Sequence, residues 1–194
     1  MNRFIRFIRY HLIDKWGFIY LKVDVQDFKP ISIKSKGISF RIANDQDYDQ
    51  IALDIFPSLD INSSEIKQFK SNHDFIFLGI KNNTIIHYFL TYLNPNDSPL
   101  CTGTPFYREF IQKDDVYLGS TFTIPSERGN WIAPSSLSFI IDYYKSNFNI
   151  KRMLVIVHKD TIGAVEYYQR LGFSIIPNAS PKNFIYWLLN KIRI

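Results

Sequence analysis

The chain has a single cysteine, Cys101, and only four histidines, His11, His73, His87 and His158, spread along its 194 residues. One thiol excludes an internal disulfide and a thiolate metal cluster. Histidines this dispersed give no ligand spacing, so no metal site is expected. No histidine and carboxylate arrangement accompanies Cys101, which reads as a passive loop thiol. With no disulfide chemistry to support, a reducing, cytoplasmic compartment is expected. Long apolar runs are missing too. Nothing approaches the roughly 20 residues of a spanning helix, and the N-terminus lacks the apolar core of a signal peptide, so neither membrane spanning nor secretion is expected.

What is present describes a folded chain. Hydrophobic residues make up 46% and charged residues 21%, against the low hydrophobicity and high net charge of disordered segments. The length suits one α/β core. Lys and Arg outnumber Asp and Glu by 23 to 18, and this excess favours anionic partners. Basic residues do not cluster into a nucleic-acid-binding stripe outside the first nine residues and Arg128, so no nucleic acid is expected as partner.

The opening MNRFIRFIRYHLIDKW sets Phe4, Ile5, Ile8 and Leu12 on one helical face, with Arg3, Arg6 and Arg9 elsewhere around it. Such a basic amphipathic helix can dock on the protein's own core, form a homodimer contact with a second copy, or make peripheral contact with an anionic membrane. After Gly17, FIYLKVDV reads as a strand. ISFRI is another, and Asn44 caps a helix with Tyr48, Ile51, Ala52 and Ile55 facing inward. Pro57 stops that helix, and Ser63 or Ser64 caps a shorter one through Ile66 and Phe69. DFIFLGI and TIIHYFLTYL form a hairpin through Lys81-Asn82-Asn83, since paired asparagines tolerate the positive φ of a tight turn. Residues 94–115 form a long polar connection. VYLGSTFTI is a strand, and Leu137, Ile140, Ile141, Tyr144 and Phe148 recur at helical spacing. RMLVIVH suits a buried central strand. Asp160 or Thr161 caps a helix with Ala164, Tyr168 and Leu171 on one face, Gly172 reverses the chain, and FSIIP and FIYWLL supply two last strands.

Two strand-to-helix junctions carry the chemistry. In TFTIPSERGNWIAPSSL, backbone amides from Gly129 to Ala133 lie at or before a helix's first turn, where donors lack intrahelical partners. The helix dipole and Arg128 add positive charge, and Gly129 permits close approach, which suits a pyrophosphate. Alone, an Arg-Gly turn is equally an ordinary connection. The second junction, DTIGAVEYYQRLGF, places Tyr168 inward on a helix ending in Leu171-Gly172-Phe173.

Together the two junctions resemble the GNAT superfamily of acyl-CoA-dependent N-acyltransferases. Its first motif is an Arg or Gln, two variable residues, Gly, a variable residue, and Gly or Ala. Arg128 and Ala133 match the ends, while Trp131 stands at the inner glycine. Its second motif is an Asn followed seven residues later by Tyr and then by Gly-Phe. Tyr168 and Gly172-Phe173 match, and Thr161 replaces the Asn. Ile132-Ala133-Pro134 further resembles a subgroup encoded with cell-surface polysaccharide enzymes.

The resemblance implies an α/β (α+β) fold, with a mixed, mostly antiparallel central sheet flanked by helices. Residues 1–36 would be an N-terminal helical extension and residues 37–194 the acyltransferase domain. It implies acetyl-CoA as acyl donor, with pantetheine along Thr121, Phe122 and Thr123. Pyrophosphate would sit on Arg128, Gly129, Asn130, Trp131, Ile132 and Ala133, with Thr161 at a further cofactor contact. Tyr168 would protonate the departing thiolate, or else pack as an ordinary aromatic between helix and sheet. His158 and Glu127 are candidate bases for an amine acceptor, plausibly an amino sugar, free or nucleotide-linked. The competing reading is a non-catalytic GNAT-like binding or scaffold protein with an altered CoA site.

Overall fold

Alternating apolar segments separated by turn-forming residues assemble into one mixed sheet. The computed structural model describes residues 18–31, 35–47, 51, 74–94, 111–158, 161 and 163–177. The N-terminal helix, the short helix through Ile66 and Phe69, Cys101 and the FIYWLL strand lie outside these.

In chain order the strands are β1 Phe18–Asp24, β2 Ser39–Ile42, β3 Phe75–Lys81, β4 Thr84–Leu93, β5 Asp115–Thr123, β6 Arg152–His158 and β7 Ser174–Ile175. Besides the helical turn at residues 45–47, the described residues include the helices α1 Ile132–Asn147 and α2 Ala164–Arg170. Across the sheet the strands run β2-β3-β4-β5-β6-β1-β7. Among the described strands only β5 and β6 are parallel. Strand β1, drawn from the segment 1–36 set apart in the sequence, lies inside this sheet, with Phe18–Asp24 antiparallel to the full length of β6.

The β3–β4 hairpin closes through Asn82 and Asn83 with φ of 50° and 61°, the geometry that paired asparagines favour. Asn44 caps the helical turn at residues 45–47, its Oδ1 accepting from the backbone of Gln46 and Asp47. Asp47 returns the contact by accepting from the Asn44 N–H at 2.7 Å, which makes a reciprocal capping box. The start of α2 differs from the sequence expectation. Its N-cap is Gly163 at φ 73°, with no side-chain cap, while the Thr161 carbonyl accepts from the Ala164 N–H.

One sheet face packs against both helices. Phe77, Phe89, Val116, Leu118 and Val155 meet Leu137, Ile140, Ile141 and Tyr144 of α1 and Tyr168 and Leu171 of α2 in a continuous core. Strand alternation sends Ile76, Leu78, Tyr88, Leu90 and Tyr92 to the opposite face, where they pack with Ala43 and Ile51. Tyr144, fully buried, satisfies its hydroxyl on Thr91 Oγ1 at 2.6 Å. At the start of β5, Asp115 is buried and accepts two hydrogen bonds from Arg152, at 2.9 and 2.6 Å. Its carboxylate is thereby committed to holding β5 and β6 in register. No described helix is long and apolar enough to cross a membrane.

Candidate active site

The parallel pair β5 and β6 holds together only at its start. Ladder partners run from Asp115↔Arg152 to Leu118↔Val155, whereas β5 continues to Thr123 and β6 to His158. Beyond Leu118 the two strands part, leaving the β6-facing backbone of residues 119–123 without a strand partner. The register on the other side of β5 explains the parting. Phe89 faces Thr121 but Thr91 faces Leu118, so β5 carries one extra residue around Gly119, a bulge that bends its strand. A Cβ at Gly119 would lie 2.6 Å from the Tyr92 ring and 3.3 Å from the Leu90 carbonyl, so any larger residue there would force the Tyr92 ring to move.

Strand β5 then enters a 3-10 turn, Pro125–Glu127, and the loop leading into α1. Lys81, at the hairpin, holds both Glu127 carboxylate oxygens at 2.7 and 2.9 Å, and Asn130 donates to the same carboxylate at 3.4 Å. Arg128 folds back so that Nε donates to the Thr123 carbonyl at 3.0 Å, with the guanidinium 5.6 Å from the centre of the Phe122 ring. Phe122 in turn stacks on Tyr88. Arg128 thus keeps its position while its Nη groups have no hydrogen-bond acceptor among the described residues.

Trp131 forms the N-cap of α1 at φ 59° and ψ 22°. This left-handed conformation is one that glycine adopts freely and residues with a Cβ adopt rarely. The side chain is 48% exposed and supplies no cap bond. The first bond into the helix runs from the Ser135 N–H to the Trp131 carbonyl. The backbone N–H groups of residues 129–133 donate to no acceptor among the described residues, and Pro134 has none to offer.

Four of these five residues, all but Asn130, border a cleft of about 440 Å³ lined by Thr123, Glu127, Arg128, Gly129, Trp131, Ile132, Ala133, Pro134 and Tyr167. A Cβ built on Gly129 meets nothing within 4 Å, so the loop is open on that side. Five unpaired amides, a guanidinium and a helix N-terminus form a donor set matched to an anionic, multi-oxygen group.

Not every residue expected in the site lines this cleft. Thr123, Glu127, Arg128, Gly129, Trp131, Ile132 and Ala133 do. Thr121 turns its hydroxyl to the Tyr88 carbonyl, and Phe122 serves as the surface beneath Arg128. Asn130 braces Glu127. His158 closes the end of β6, its carbonyl accepting from the Thr161 N–H. Tyr168 is 7% exposed and packs edge-on to Phe173, with ring centroids 5.1 Å apart. Burial pushes its phenol well above the usual tyrosine range and keeps it protonated.

Two residues here had no sequence signal of their own. Tyr167 lines the cleft, and its hydroxyl is buried without a partner. His87 is 1% exposed on β4, with Nδ1 2.8 Å from Thr123 Oγ1 and Nε2 unpartnered. Burial lowers the His87 pKa from 6.5 to about 4, against a smaller raising effect of the Phe122 carbonyl. A helical wheel could have shown Tyr167 beside the inward Tyr168, but the cross-strand pair of His87 and Thr123 requires the register. Among the described residues no group of His, Cys, Asp and Glu could hold a metal ion.

Comparison with known proteins agrees with this geometry. The model of the acetyltransferase (GNAT) family matches residues 44–173. No curated protein matches the chain. Among solved structures, a GCN5-related glucosamine N-acetyltransferase region of a fungal multi-domain GH3 β-N-acetylglucosaminidase is similar with a TM-score of 0.60 and 13% identity, over 82% of this chain and 20% of that one. A GCN5-related N-acetyltransferase from Sphaerobacter thermophilus has a TM-score of 0.55 and 13% identity, over 89% and 52%. Arabidopsis thaliana NAA60, solved with acetyl-CoA, has a TM-score of 0.52 and 19% identity, over 72% and 85%. The chain thus spans a fifth of the first of these structures and about half of the second, and the likeness to all three is one of fold. The family match covers more than half of the sequence and includes both junctions, so the chain belongs to the acetyltransferase (GNAT) family.

Proposed function

We propose that this acetyltransferase moves an acetyl group from acetyl-CoA to the amine of a small molecule, an amino sugar or a nucleotide-linked amino sugar. The family uses acyl-CoA and acetylates amines. The observation that carries the reading is the row of unpaired amides at residues 129–133, of which Gly129, Trp131, Ile132 and Ala133 line the cleft beside Arg128. Those groups fit the diphosphate of CoA, and Trp131 contributes its backbone while its ring stays half exposed. The catalytic unit we assign is residues 37–194, with β1 completing its sheet.

Acetyl-CoA, when bound, supplies the acetyl group as an activated thioester. The protein's part is positioning, polarisation and proton transfer. Arg128 and the loop amides hold negative charge, and their donors are in place before any ligand arrives. The parted strands β5 and β6 leave backbone groups of residues 119–123 available for an extended arm. The motif resemblance assigns Tyr168 the role of proton donor to the leaving thiolate. Its ring lies in the core and does not border this cleft, so turnover of Tyr168→Phe is the test of that role. Glu127 is held by Lys81, which leaves His158 the better candidate to take a proton from the amine. The cytoplasm remains the assigned compartment.

Support for the amino-sugar acceptor comes from the Ile132-Ala133-Pro134 subgroup pattern and from two fold relatives. One is named a glucosamine N-acetyltransferase region and the other an aminoglycoside acetyltransferase, at 13% and 12% identity. The test is incubation with acetyl-CoA and a panel of amino sugars, nucleotide-linked amino sugars and other amines, measuring thiol release. Turnover confined to amines without a sugar would overturn the acceptor, and no CoA binding at millimolar concentration would overturn the enzyme reading in favour of a binding protein.

A further inference from the structure

Tyr167 and Tyr168 are neighbours in sequence, with ring centroids 4.9 Å apart, but they occupy different environments. Tyr168 belongs to the core and does not border the cleft. Tyr167 borders it together with Arg128, Gly129 and Ala133. Its hydroxyl is shielded from solvent and meets no hydrogen-bond partner. Folded proteins seldom leave a buried hydroxyl in that state, and each such group calls for an explanation. Here the residue lines a cleft whose other lining groups include the Arg128 guanidinium and the unpaired amides of Gly129, Trp131, Ile132 and Ala133.

The geometry points to Tyr167 as a further ligand-binding residue, donating its hydroxyl to a phosphoryl oxygen of a diphosphate held by residues 128–133. This rests on the acyl-CoA reading of the cleft and adds a side-chain donor to it. A diphosphate only accepts hydrogen bonds at neutral pH, so its complement is a neutral hydroxyl and not a phenolate. Burial holds the Tyr167 phenol in that neutral form, well above the ordinary tyrosine range. The residue therefore acts by binding.

The experiment compares the dissociation constants of CoA and of pantetheine, which lacks the phosphates, for wild type, Tyr167→Phe and Tyr168→Phe by calorimetry. Tyr167→Phe is expected to weaken CoA about tenfold, as for one lost bond to a charged group, and to leave pantetheine unchanged. Without ligand its thermal midpoint should stay level or rise, because the variant removes an unsatisfied hydroxyl. Tyr168→Phe should leave both affinities unaltered. Equal CoA affinity in Tyr167→Phe and wild type overturns the inference. So does an equal loss for CoA and pantetheine, or a fall in turnover with CoA affinity intact, which would make Tyr167 a proton donor. Failure of the wild type to bind CoA would instead remove the acyl-CoA reading itself.

Discussion

His87 and Thr123 face one another across β4 and β5, joined by a 2.8 Å contact between Nδ1 and Oγ1 beneath the cleft. The histidine's other nitrogen is buried without a partner. An orphaned lone pair costs less than an orphaned N–H, so the proton belongs on Nδ1, donated to Thr123. That leaves the Thr123 hydroxyl proton to point elsewhere.

The same burial makes stability depend on pH. The His87 pKa is lowered from 6.5 to about 4, so the unfolded chain binds more protons between those values. The stabilisation is complete above pH 6.5 and is lost as pH falls towards 4. Denaturant titrations at pH 7 and pH 4.5 should show a loss of roughly 2 to 3 kcal/mol from this group. His87→Leu should remove that part of the pH dependence, and an unchanged profile in the variant would show that His87 is not its source.

Trp131 holds a left-handed backbone conformation that costs a residue with a Cβ about 1 to 2 kcal/mol. Trp131→Gly should raise stability by about 1 kcal/mol and retain CoA affinity, since the loop uses the amide and not the ring. Thermal denaturation and calorimetry check both halves. A large loss of affinity would assign the indole a direct contact.

Asp115 and Arg152 form a buried pair at the start of β5 and β6. Arg152→Met should destabilise by roughly 3 to 5 kcal/mol, because it removes the counter-charge of a fully buried carboxylate, and Asp115→Asn should cost less, because Arg152 is only partly buried. The joint variant Asp115→Leu with Arg152→Met should recover most of that loss. Chemical denaturation of the three variants measures it. Additive losses would mean that the residues act independently.

Gly172 turns the chain after α2 at φ 95°, and a Cβ there would lie 2.5 Å from the Asp27 backbone carbonyl. Neither the angle nor the contact can relax without moving the segment beside β1. Gly172→Ala should therefore cost more than about 2 kcal/mol, beyond the conformational term alone. A thermal midpoint near wild type would contradict the close approach.

Local pattern made much of this fold legible in advance. RMLVIVH became β6 to the residue, Asn82 and Asn83 formed the expected turn, and Leu137, Ile140, Ile141 and Tyr144 set the buried face of α1. The Arg128 loop was readable because unpaired amides follow from any strand entering a helix. What sequence could not deliver depends on distant partners. Helical spacing rightly turned Tyr168 inward, but the same inward turn carried its ring into the core and left Tyr167 at the cleft. Glu127 looked like a base until the hairpin brought Lys81 to it. Asp160 or Thr161 looked like the cap of α2, yet the helix begins after Gly163 because a left-handed residue turns the chain there.

Strand β1 has a consequence for how the protein is made. Lys22 pairs with Leu154 on one side and Ser174 on the other, so the first described strand to leave the ribosome waits for two of the last. Until β6 emerges, Leu21 and Val23 lack the strand that flanks β1 along its full length. Pairings this remote slow folding and lengthen exposure to aggregation. Expression yield should accordingly respond to translation speed and chaperone supply more than to the stability of the finished sheet.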